Sequence, residues 1–74
     1  PTTTIQFTAH QSGPTVLTVF DARGRRLFKR SFEVNQGESI RAQLDFSHYP
    51  SGVYLYTIQM PNGIQQTRKM MLLK

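Results

Sequence analysis

Ser39-Ile40-Arg41-Ala42-Gln43-Leu44-Asp45-Phe46 is the stretch that decides the fold. Ile40, Ala42, Leu44 and Phe46 are apolar, while Ser39, Arg41, Gln43 and Asp45 between them are polar. Side chains that alternate at period two lie on opposite faces of an extended chain. A helix would instead bring apolar residues together three and four apart, and this stretch does not. It predicts a strand with one face on a core and the other in water.

The same period continues outward in both directions. Upstream, Asn35-Gln36-Gly37 turns the chain into this strand, and Arg25 to Val34 precedes it as a run that alternates poorly. Leu27 falls on one face of that run and Phe28, Phe32 and Val34 on the other, which predicts a bulge or an edge position. Asp21-Ala22-Arg23-Gly24 reads as a tight hairpin turn joining it to the run Val16 to Phe20. In such a turn Asp bonds nearby backbone and Gly accepts positive φ. Further up, Ile5, Phe7 and Ala9 alternate with Thr4, Gln6 and Thr8 until Gln11-Ser12-Gly13-Pro14 breaks the run. Downstream, Val53 to Met60 places Tyr54, Tyr56, Ile58 and Met60 on one side and Val53 and Leu55 on the other. Pro61-Asn62-Gly63 is a hairpin signal, and Ile64 to Lys74 forms the last run. Short strands at this spacing without a helical period predict an all-β fold, a small immunoglobulin-like antiparallel β-sandwich of about seven short strands.

The chain has 74 residues, which leaves room for one domain and one modest core. It contains no cysteine, so neither disulfides nor thiolate–metal bonds staple it, and apolar burial must hold the fold alone. Each large apolar side chain buried contributes about 1.5–3 kcal/mol, enough for a small net stability. No apolar run approaches the roughly 18 residues of a membrane helix, and no signal peptide opens the sequence. No stable membrane insertion is expected. A start at Pro1 reads as a fragment of a longer precursor, with residues 1–74 as one domain. Nine Lys and Arg against four Asp and Glu give a net charge of +5, a weak attraction for phosphates, anionic lipids or acidic proteins.

Several segments in order resemble a known family. They are Thr4-Ile5-Gln6-Phe7-Thr8, Gly13-Pro14, Leu17-Thr18-Val19-Phe20-Asp21 and Gly24-Arg25 in the first half. In the second half they are Tyr49-Pro50-Ser51-Gly52-Val53-Tyr54 and the closing Thr67-Arg68-Lys69-Met70-Met71-Leu72-Leu73-Lys74. This ordered set resembles the type A C-terminal sorting domain of the type IX (Por) secretion system over essentially the whole chain. His10 and Gln11 depart from the apolar residue and proline usual there. The resemblance implies a passenger of Bacteroidota-type bacteria, exported through the periplasm to the cell surface or extracellular space. It implies as partners the type IX translocon, its outer-membrane shuttle protein and a surface protease of sortase type that commonly removes the domain. It also implies a secretion signal rather than an enzyme. The rival is an immunoglobulin-like or fibronectin-like accessory binding module of a secreted enzyme, which should show exposed aromatics on one face; most aromatics here fit a core.

The residues expected to be read by the machinery are Arg68, Lys69, Met70, Leu72 and Lys74 of the last run, with Gly52 before the preceding one. A terminal edge that carries charge beside Met70, Met71, Leu72 and Leu73 can add to a partner's sheet. The competing reading is that the charges keep a sticky strand from aggregating. Gly52 and the Asn62-Gly63 turn more often serve backbone geometry than contact, and Tyr54 and Tyr56 pack with Ile58. Arg23, Arg25, Arg26, Lys29 and Arg30 form a basic run around the first hairpin, read as a solvated strand face. No RNP-like or zinc spacing accompanies it, so no nucleic-acid partner is expected. His10 and His48 stand apart from any carboxylate at metal spacing, and no Ser, His and Asp set or Gly-rich phosphate loop is present. Neither a metal nor any other cofactor is expected.

Overall fold

The computed structural model describes residues 2–73. Its elements are β1 (Thr2–Thr8), β2 (Gly13–Asp21), β3 (Arg26–Val34), β4 (Ser39–Asp45), β5 (Gly52–Gln59) and β6 (Gln65–Leu72). β1 and β4 form a two-stranded sheet, and β3-β2-β5-β6, in that order, form a four-stranded one; all pairs are antiparallel. Three connections cross between the sheets, from β1 to β2, β3 to β4 and β4 to β5, so the two layers are woven from one chain.

The deciding stretch behaves as its pattern predicts. Ala42, Leu44 and Phe46 are buried and Ile40 is half-buried, while Ser39, Arg41, Gln43 and Asp45 are exposed. Ala42, Leu44 and Phe46 meet Ile5, Leu17, Val19, Tyr54, Ile58 and Leu72 in one cluster between the sheets. At one end Phe46 is ringed by Phe28, Tyr49 and Tyr54, with edge-on centroid distances of 5.4, 5.8 and 5.4 Å. Edge-to-face packing of this kind adds specificity to the area buried.

The sandwich has six strands among the described residues rather than about seven. The poorly alternating run is one continuous strand, because a register shift between Val19 and Phe20 re-phases its pairing instead of ending it. Val19 pairs with Phe28 and Phe20 with Arg26, leaving Leu27 as the extra residue, and β3 lies at a sheet edge. Bulge and edge are thus both present. The last strand is shorter than Ile64 to Lys74: Ile64 belongs to the turn, where its carbonyl accepts from the Met60 N–H at 2.8 Å, and Lys74 lies outside the described residues.

Candidate functional site

The segments that carry the family resemblance are scattered along the sequence, but the topology gathers several at one end of the sandwich. Asp21 on β2 pairs with Tyr54 on β5, and Gly52 pairs with Leu72 on β6. The β2–β3 turn, the β4–β5 loop and the end of β6 therefore lie together. Between the first two opens a cleft of about 300 Å³, lined by Arg23, Arg25, Leu27, Tyr49, Pro50 and Val53 among others.

Asp21 builds the first wall. Its Oδ1 accepts the backbone N–H of Arg25 at 2.9 Å and that of Arg23 at 3.0 Å, while Arg25 Nε donates to Oδ2 at 3.2 Å. The Arg25 backbone donor, more than any other contact, holds the Asp21 carboxyl below its ordinary value of 3.8. Gly24 closes the turn at φ 88°, a conformation that side chains disfavour. The β4–β5 loop forms the second wall. Asp45 accepts from the Ser47 hydroxyl and, at 2.9 Å, from the Ser47 N–H; the hydroxyl contact leads in lowering the Asp45 pKa. The Tyr49 N–H donates to the Phe46 carbonyl at 3.0 Å, and the buried Tyr54 hydroxyl donates to the Pro50 carbonyl at 2.5 Å. Gly52 enters β5 at φ 155° with open space where a Cβ would stand, so backbone conformation rather than crowding demands glycine there.

β6 supplies the third part. It pairs with β5 without a register shift from Gln65 to Leu72, and among the described residues nothing pairs with its other edge. The expected site residues on it divide between two faces. Leu72 is buried in the core opposite Gly52, and Met70 is half-buried against the same cluster opposite Tyr54. Arg68 follows on that side, exposed opposite Tyr56, whereas Lys69 points outward opposite Leu55. Lys74 lies outside the described residues. Also open to a partner are two apolar residues that sequence reasoning left off the site, Met71 and Leu73, exposed by 66% and 77%. Their apolar character beside Leu72 was the available signal.

The basic run is also divided. Arg25 is tied to Asp21, Arg26 and Lys29 share the outer face with Phe20, and Arg30 stands opposite Leu17 yet is exposed. Among the described residues no group of three His, Asp or Glu side chains is placed to hold a metal ion, and no helix is long and apolar enough to cross a membrane.

The domain is thus an all-β two-sheet sandwich with a turn-built end and, among the described residues, a last strand paired on one side only. Over residues 1–73 the sequence matches the family model described as a secretion system C-terminal sorting domain, and the chain belongs to that type IX secretion family. Comparison with curated proteins and with solved structures returned no match. A sorting domain is not itself catalytic, and its presence implies export to the cell surface or extracellular space.

Proposed function

We propose that residues 1–74 form one domain that directs a passenger protein through the type IX outer-membrane translocon by way of the periplasm, and that it is read through its last strand. One observation carries this: among the described residues β6 has an unpaired edge along its whole length, with Met71 exposed near its end and Leu73 exposed just past it. Main-chain groups on such an edge can extend a partner's sheet, and alternate side chains then set specificity. Arg68, Lys69, Met70, Leu72 and Lys74 contribute in different ways on this reading. Leu72 and Met70 fix the strand to the core, Arg68 and Lys69 present charge along it, and Lys74, outside the described residues, adds one more charge to the segment. Gly52 allows β5 to start where β6 ends. Delivery by an outer-membrane shuttle protein, and removal of the domain by a surface protease of sortase type, belong to the same reading. The strand order and the tie from Tyr54 to Pro50, at the corner where the chain changes sheets, support the immunoglobulin-like form of the sandwich.

The test is a periplasmic reporter carrying residues 1–74 at its C-terminus in a type IX-competent cell. The reporter is expected outside the cell. Equal retention with and without the domain would sink the proposal.

A further inference from the structure

The outer face of the four-stranded sheet carries a constellation that no single stretch of sequence displays. Pairing places Arg26 beside Phe20, Phe20 beside Leu55 and Leu55 beside Lys69, so one row crosses all four strands as cation, apolar, apolar, cation. The next row, Lys29, Thr18, Thr57 and Thr67, adds a third cation. Phe20 and Leu55 are only half-buried and take no part in the core cluster. Val53 and the exposed Met71, paired on the same face, extend them into a continuous apolar patch. Arg26, Lys29 and Lys69 have no acidic partner among the described residues, where Asp21 with Arg25 is the ion pair formed. The nearest acid on this face is Glu33, at the far end of β3 opposite Pro14.

We propose that this face is a second docking surface, for an acidic protein of the secretion machinery that sets carboxylates around an apolar centre. The inference rests on the sorting-domain reading. Strands about 4.8 Å apart put the backbones of Arg26 and Lys69 about 14 Å from each other, with the apolar pair between them. An apolar centre with a charged rim is the anatomy of a protein–protein interface. A polyanion would be tracked by a stripe of cations without that centre. A second copy of the chain fits poorly, because face-to-face stacking sets three uncompensated cations against three more in a chain of net charge +5. Uncompensated rim charge steers a carboxylate-rich partner into place, and the apolar pair then excludes water.

The absence of cysteine makes the test direct. A cysteine-free reporter fused to the domain is given one thiol, Thr18→Cys on this face or Thr4→Cys on the outer face of β1. It is labelled with maleimide-benzophenone and irradiated against solubilised outer membranes of type IX-competent cells. The Thr18→Cys probe is expected to join a protein through a peptide rich in Asp and Glu, and the Thr4→Cys probe is not. Adding Arg26→Gln, Lys29→Gln and Lys69→Gln together should cut that product by about fivefold at unchanged Tm, as loss of rim charge does. A crosslink to lipid, glycan or a second copy overturns the inference, as does equal yield from the two probes. Export of the unlabelled fusion is scored in parallel. Export without the crosslink defeats this inference alone, whereas a reporter that stays inside defeats the sorting reading and this inference with it.

Discussion

β3 and β6 are the two edges of the same four-stranded sheet, and they manage exposure in opposite ways. β3 is guarded: a bulge re-phases its pairing beside Val19, its inward side is weighted with Phe28 and Phe32, and Arg26, Lys29 and Arg30 stud the strand. Bulges and charges are the common means of stopping an edge from pairing with another chain. β6 has cations at Arg68 and Lys69 but no bulge, and beyond them it runs out through Met70, Met71 and Leu72, with Leu73 just past its end. On the reading proposed above, the first edge resists strand addition and the second invites it. A fold can thus treat the two edges of one sheet differently without changing its core.

The largest expected effect comes from removing that open end. Deleting Met70 through Lys74 should abolish export of a fused reporter while far-UV circular dichroism still shows a β-rich domain of lower Tm. Complete unfolding would mean that β6 serves the core as much as the partner. Next is the contrast between buried and half-buried positions. Leu72→Ala should cost about 2–4 kcal/mol in chemical denaturation, and Phe32→Ala on β3 about half as much because part of the ring stays wet.

A smaller effect is expected at the turn that launches β3. Asp21→Asn should lower Tm at neutral pH, since the carboxylate binds two backbone donors and Arg25 Nε. The Asp21 pKa is depressed in the folded state, so its contribution is present above the ordinary value of 3.8 and is lost as pH falls through the folded value below it. The Tm gap between wild type and variant should therefore close in acid; a gap independent of pH would assign the turn's stability elsewhere. The smallest change in stability belongs to exposed charge. Lys69→Gln with Lys74→Gln should shift stability by under about 0.5 kcal/mol yet lower export, while Arg30→Gln on β3 changes neither. Normal export by the double variant would make the lysines gatekeepers against aggregation.

The pattern of Ser39 to Phe46 was legible because its two faces differ completely, and the turns were legible because Asp21, Gly24, Asn62 and Gly63 have few other uses. The irregularity of β3 could be read in the misplaced Leu27. The inward side of β5 was legible too, since Tyr54, Tyr56 and Ile58 share a face and meet the core. What escaped was the choice of face on β2, where Val19 and Phe20 are both apolar and period two cannot say which of the pair points inward. Leu72 was read as part of a recognition strand although it is buried, because local sequence does not reveal that it sits opposite Gly52. The gathering of Arg26, Lys29 and Lys69 on one face depends on pairings between distant strands, which alternation within a strand does not encode.

The start of β1 and the end of β6 lie at the same end of the sandwich, and each of these strands pairs along one side only, β1 with β4 and β6 with β5. That arrangement fixes the mechanical response of the domain. Tension that draws the two ends apart, across the strands, loads the ladder one rung at a time, first Thr2 against Asp45 or Leu72 against Gly52. The strands peel like a zip instead of resisting in parallel, as they would in shear. Such a domain holds its shape against thermal agitation yet yields to modest tension, and optical-tweezer traces should show it opening at low force from either end.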